Sequence, residues 1–165
     1  MIQAVQNGLK SALLQTGIAE KLIYTSVVDE KAYQHTPSAF ILMEPGEIKT
    51  DRQRVAIRPG RFIWQLYTLT IPFSVLITDK DLPKAESKAL AFLTKLPRRL
   101  LDGDYAIALQ PGAIKTLEDT SIMSQAVGFE VIVTAKGGVY SEQKAAQMKV
   151  IIEGVEFDLG NNETN

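Results

Sequence analysis

The sequence contains no cysteine and a single histidine, His35, among its 165 residues. Without cysteine there is no disulfide framework, thiolate nucleophile or cysteine-ligated zinc, and one histidine excludes every site that needs two imidazoles. An excess of either charge is missing too. With 18 basic side chains against 19 acidic ones, the molecule as a whole does not attract phosphate, so any basic surface must be local. No stretch approaches the roughly 18 uninterrupted apolar residues of a membrane span. The opening MIQAVQNGLKSALLQTG is a mixed amphipathic run without the n-region or cleavage site of a signal peptide. A protein made in the cytosol, with no membrane partner, is the expectation. What remains, 45% hydrophobic residues in a chain of this length, suffices for one compact domain that buries about two-thirds of the surface its unfolded chain exposes.

Periodicity supplies the elements. Ile2, Val5, Leu9, Ala12 and Leu13 recur at helical steps, and Gly17 stands where a left-handed cap would end the helix near Thr16. The stretch IAEKLIYTSVVDEKAYQHTPS fits either a second helical turn or a short strand at Ile23 to Val28, and Ala39 to Met43 reads as a buried strand stopped by Glu44-Pro45-Gly46. A polar connection, EIKTDRQRVAIRPG, follows and closes at Pro59-Gly60. From Arg61 to Thr78, Ile63, Tyr67, Leu69, Ile71, Phe73, Val75 and Ile77 share one parity, which predicts a long strand with one core face. Pro72 within it predicts a bulge, an edge position or a break. Asp81 and Pro83 open a second helix whose stripe is Ala85, Ala89, Phe92, Leu93, Leu96 and Leu100, with Lys84, Lys88 and Lys95 on its wet side. Tyr105 to Leu109 is a short strand before a turn at Pro111-Gly112. Val127 to Ala135 is a strand ended by Gly137-Gly138. Residues 141–147 suit two helical turns, and Val150 to Ile152 and Val155 to Phe157 suit two short strands before a polar tail. The economical fold is α+β: one domain, a mostly antiparallel or mixed sheet, and two main helices packed on one face.

The residues that carry chemistry do not assemble into a recognisable catalytic set. His35 lies in a turn-like Tyr-Gln-His-Thr-Pro context, and Asp79, Asp81, Asp102 and Asp104 flank the second helix where caps and turns favour aspartate. Neither Gly137-Gly138 nor Pro59-Gly60 has the lysine and hydroxyl spacing of a phosphate loop. No catalytic, cofactor or metal residues are therefore assigned, and the chain is expected not to be an enzyme. The conspicuous feature is local charge. Lys49, Arg52, Arg54, Arg58 and Arg61 stand against only Glu47 and Asp51, while Glu153, Glu156, Asp158 and Glu163 make the C-terminal end acidic. The arginine-rich stretch is either a solvated hairpin connection or a projecting arm, and arm and tail on one chain could pair head to tail in a ring. Phe62 and Trp64, on the opposite parity from the strand's core residues, are either covered by a second layer or form an oligomer interface.

An N-terminal amphipathic helix, the strand SAFILMEPGEI, the arginine-rich connection, the long strand RFIWQLYTLTIPFSVLI, the helix DLPKAESKALAFLTKL and the late strand GFEVIVTAK succeed one another. In size, order and strand texture this resembles the tail terminator and tail completion (minor tail) proteins of long-tailed bacteriophages and prophages. The likeness covers residues 1–136 and leaves 137–165 as a C-terminal extension. The resemblance implies a structural virion protein made in the host cytoplasm and placed at the head-proximal end of the tail. It implies a homohexameric ring that caps the tail tube, terminates its polymerisation and offers a docking face to the head connector. Its partners would be itself, the tail tube protein and the connector protein, with DNA passing through the lumen without sequence readout. By the same analogy Lys49, Arg52, Arg54, Arg58, Arg61, Phe62 and Trp64 are the candidate subunit or tube interface. The alternative is a small ligand-binding or enzymatic α+β domain, which would carry a concave pocket lined with polar groups.

Overall fold

The longest apolar alternation in the sequence becomes the spine of the molecule. In the computed structural model, which describes residues 1–26, 37–117, 127–141, 150–152 and 155–157 and only the backbone of 57, 150–152 and 155–157, strand β4 (Arg61–Asp79) spans 19 residues. Around it lie β1 (Ile23–Tyr24), β2 (Ala39–Met43), β3 (Glu47–Arg58), β5 (Arg99–Asp102), β6 (Tyr105–Thr116) and β7 (Val127–Tyr140). They form one sheet of order β1-β2-β4-β7-β6-β5, with β3 also paired to β4. Every pairing is antiparallel except β1 with β2. Strands β8 (Val150–Ile152) and β9 (Val155–Phe157) form a separate antiparallel pair, as their sequence suggests. His35, Val28, most of the short helix expected at 141–147 and the polar tail lie outside the described residues.

Both helices pack on one face. Helix α1 (Ile2–Leu14) buries Val5, Leu9, Ala12 and Leu13, and α2 (Leu82–Lys95) buries Ala85, Ala89 and Phe92. They meet Ile71, Phe73, Val75 and Ile77 of β4, Val131, Val133 and Ala135 of β7, and Ile107 and Leu109 of β6 in a single core. Each fully buried Val, Leu, Ile or Phe side chain there contributes about 1.5–3 kcal/mol relative to exposure. Gly17, at φ +91°, turns the chain out of α1 as its position implies. A 3₁₀ turn (Glu20–Leu22) runs straight into β1, so both alternatives for this stretch occur in succession. Ala39, Phe40 and Ile41 are fully buried because β2 also has its far face covered, where Phe40 and Leu76 pack with Tyr24, Leu42 and Leu117. The fold is the expected α+β arrangement.

Several boundaries differ from the sequence expectation. The polar connection after Gly46 is β3, a 12-residue strand paired with β4 over its length, and its charges belong to a sheet edge. Pro72 neither breaks nor bulges β4. Its carbonyl accepts the Glu44 N–H at 2.9 Å, so in antiparallel geometry its nitrogen faces the Glu44-Pro45-Gly46 link, where β2 has ended at Phe73 and β3 begins at Thr70. No ladder bond is required of it there. Pro111-Gly112 is not a turn: β6 continues through it, with one extra residue between Pro111 and Ile114 relative to β7.

Nor do Gly137 and Gly138 end β7, which runs on to Tyr140. A Cβ on Gly137 would lie 2.8 Å from Met1 Sδ, and one on Gly138 would lie 2.6 Å from the Tyr140 ring. These glycines serve close approach within a strand, not reversal of the chain. Leu100, read as the last residue of the α2 stripe, sits in β5, because the helix stops at Lys95 before Pro97. It still packs against the core, and α1 approaches it so closely that a Cβ on Gly8 would strike its methyl groups.

Candidate functional site

The β3–β4 hairpin is closed by Pro59 and Gly60, with Arg58 paired to Arg61 across a two-residue loop and Gly60 at φ +76°. Proline followed by a positive-φ glycine suits the middle of a type II turn. Between Gln65 and Tyr67 the β4–β7 register slips, leaving Leu66 as an extra residue, so the alternation of β4 reverses there. The reversal decides which face Phe62 and Trp64 take. Gln65 joins Thr68 on the face away from the helices, and Phe62 and Trp64 take the opposite side.

Phe62 and Trp64 remain 49% and 47% exposed, which leaves half of each aromatic surface available to a partner. Arg54 lies over the Phe62 ring at 4.3 Å and Arg52 over Trp64 at 5.4 Å. These cation–π contacts spread the guanidinium groups flat against the aromatics and make one amphipathic surface of four side chains. The other predicted cations are dispersed. Lys49 pairs with its strand neighbour Glu47 at 3.3 Å, and Arg58 reaches across to Asp104, whose carboxylate raises the guanidinium pKa through a hydrogen bond and its charge. Arg61 lies beside the turn and is engaged with other groups of the chain. Of the seven predicted residues the structure thus brings Arg52, Arg54, Phe62 and Trp64 together.

The aspartates around α2 have defined partners. Asp79 accepts from Lys88 Nζ at 2.6 Å, and this hydrogen bond leads the effects that lower its pKa, against a smaller opposing effect of burial. Asp81 precedes α2 and stands 3.9 Å from Lys84 Nζ. Asp102 pairs with the Met1 ammonium and Asp104 with Arg58. Among the described residues no group of three His, Asp or Glu side chains could hold a metal, and no helix is long and apolar enough to cross a membrane.

A second feature escaped the sequence reading. The helix-free face carries an open concavity of about 380 Å³ lined by side chains of β3, β4, β5, β6 and β7 and by Arg98. On its β3–β4 side, Asp51 Oδ2 accepts hydrogen bonds from Gln53 Nε2 at 3.1 Å, Gln65 Nε2 at 3.0 Å and Thr68 Oγ1 at 2.9 Å. Ala106, Ala108, Gly137 and Gly138 keep its floor low, and Arg98, Arg99 and Lys136 stand round it. Tyr140, stacked on Tyr105 with centroids 4.4 Å apart, lines it too, and burial raises the pKa of its hydroxyl. The available signal was Arg98-Arg99 just after Pro97. It was uninformative without β5, which places Arg99 opposite Ala108 and so opposite Lys136 beyond it.

Fold and surfaces together define an α+β domain with both helices on one sheet face, a polar concavity on the other, and an arginine-backed aromatic hairpin at one end. No protein-family model matches the chain, and no curated protein does. Among solved structures it is similar to a chain of the virion of a native gene transfer agent particle, with 14% sequence identity and a TM-score of 0.45 over 82% of this chain and 98% of that one.

Proposed function

We propose that this chain is a structural virion protein of a long-tailed phage or prophage, forming a homohexameric ring that caps the tail tube and presents a docking face to the head connector. The observation that carries the reading is the hairpin tip, where two half-exposed aromatics and two stacked arginines form the kind of surface enriched at protein interfaces. The order of helices and strands supports it, because that order resembles tail terminator proteins. In the ring the hairpin meets a neighbouring subunit or the tube protein, DNA passes through the lumen without sequence readout, and no reaction is catalysed. The expected site is the head-proximal end of the tail.

The test uses the tail tube protein encoded in the same genome, polymerised with and without the chain. Capping predicts shorter tubes with density at one end in negative-stain images, and a Phe62→Ser/Trp64→Ser double variant that no longer shortens them. Tubes of unchanged length would refute the capping role. The concavity on the helix-free face is the one observation that favours a second reading, a ligand-binding domain, and it has a chemistry of its own.

A further inference from the structure

We propose that the concavity on the helix-free face is a binding site for a phosphate oxyanion. Three cations, Arg98, Arg99 and Lys136, line it against one carboxylate, Asp51, and one oxygen of that carboxylate already accepts three side-chain hydrogen bonds. Among the described residues none of the three cations has a carboxylate partner within salt-bridge distance. The excess of positive charge is therefore unspent on the protein's own groups.

The sheet register fixes how these cations stand. Arg99 pairs with Ala108, and Ala108 pairs with Lys136, so the two long side chains rise from the same face on either side of a methyl group. With neighbouring strands roughly 4.8 Å apart, their Cα atoms are about 10 Å apart, close enough for both side chains to converge on one anion above Ala108. Arg98 is anchored by its carbonyl, which accepts the Leu109 N–H at 3.0 Å, and adds a second guanidinium at the same rim. Two forked guanidinium groups and an ammonium offer more donors and more charge than one carboxylate can use, and they suit the several oxygens of a phosphate. The floor of Ala106, Ala108, Gly137 and Gly138 leaves room for it. Both a free phosphate compound and a nucleic-acid backbone supply this chemistry.

The site does not rest on the ring reading and applies equally to a monomer. The experiment is calorimetric titration of the full chain at low salt with inorganic pyrophosphate and, separately, with a short oligothymidylate. Saturable binding is expected. Arg99→Ala and Lys136→Ala should each weaken it by about tenfold, the loss of one charge-assisted contact, and Lys136→Glu should abolish it. Lys95→Ala, which removes an exposed cation on α2, should leave it unchanged. All three site side chains are exposed, so the variants should keep the wild-type circular dichroism melt, which is recorded alongside. Tighter binding of the oligonucleotide than of pyrophosphate, lost in the same variants, assigns the phosphate to a nucleic-acid backbone, and the reverse order assigns it to a free phosphate compound. Absence of saturable binding at millimolar pyrophosphate and oligonucleotide, or binding indifferent to Arg99→Ala and Lys136→Glu, overturns the proposal. So does a result in which an acidic peptide binds these residues and neither phosphate ligand does.

Discussion

Replacing Gly138 and Gly137 separately by alanine distinguishes a strand that runs through this pair from one that turns there. Among the described residues, Gly17, Gly60 and Gly103 have positive φ and these two do not, so alanine fits their backbone conformation. Taken alone, the loss of glycine freedom in the unfolded chain stabilises by about 0.4–1 kcal/mol. At Gly137 the first atom a Cβ meets is Met1 Sδ, at 2.8 Å, the movable end of a flexible side chain. At Gly138 it meets the Tyr140 ring at 2.6 Å and Gln65 Oε1 at 2.7 Å. Neither yields easily, because Tyr140 is stacked on Tyr105 and Gln65 is hydrogen-bonded to Asp51 and Thr68. Overpacking of this kind costs about 1–3 kcal/mol. The net expectation is destabilisation by about 1–2 kcal/mol for Gly138→Ala and a change within about 0.5 kcal/mol for Gly137→Ala. Urea unfolding followed by far-ultraviolet circular dichroism resolves the difference. With a slope of roughly 2 kcal/mol/M, the midpoint should fall by about 0.5–1 M for the first variant and stay in place for the second. Equal losses at both positions would mean that both glycines serve a turn, and would refute the continuous β7.

Other perturbations test the core and the electrostatics. Phe92→Ala should cost about 3–5 kcal/mol in the same assay, because the ring is fully buried between α2 and the sheet. Lys88→Met should cost about 0.5–1 kcal/mol at pH 7, since the pair with Asp79 is partly exposed. Asp79 has its pKa lowered in the folded state, so its contribution is present above the ordinary value of 3.8 and is lost as pH falls through the folded value. Wild type and Lys88→Met should therefore converge in stability below that value, and a difference that persists in strong acid would exclude the ion pair as its source. Gly60→Ala should lose about 1 kcal/mol, because φ +76° strains any residue with a Cβ although nothing lies within 4 Å of it.

What could be read from residues and what could not divides along physical lines. Apolar periodicity reports burial directly, so α1, α2, β2 and β4 from Tyr67 onward were legible, as was the placement of both helices on one face, whereas the slip at Leu66 puts Ile63 on the other face from Leu69 and Phe62 and Trp64 on the side that parity denies them. Proline and glycine were harder, because their turn chemistry is conditional on neighbours. Pro72, Pro111, Gly112, Gly137 and Gly138 all lie within strands, where a change of partner strand, a bulge or close side-chain approach accommodates them. Strand β3 carries charge on an edge, and charge on an edge looks like a loop in sequence. The stacked pairs Arg52–Trp64 and Arg54–Phe62 follow from hairpin register, so the residues could be named but their arrangement could not. The concavity was illegible because it draws on five strands, one of which, β5, is only four residues long.

The central claim, assembly through the hairpin surface, is tested most directly by the mass and shape of the protein in solution. Sedimentation velocity across a range of concentration and salt, with negative-stain imaging of the same samples, should show six-fold rings for the wild type. Burying the exposed half of Phe62 or Trp64, roughly 100 Å² each, at about 25 cal/mol/Å² is worth at most about 2.5 kcal/mol per side chain, roughly seventyfold in association. Phe62→Ser/Trp64→Ser should therefore sediment as a monomer with an unchanged circular dichroism spectrum. A wild type that stays monomeric under every condition, or rings that persist in the double variant, would contradict the account.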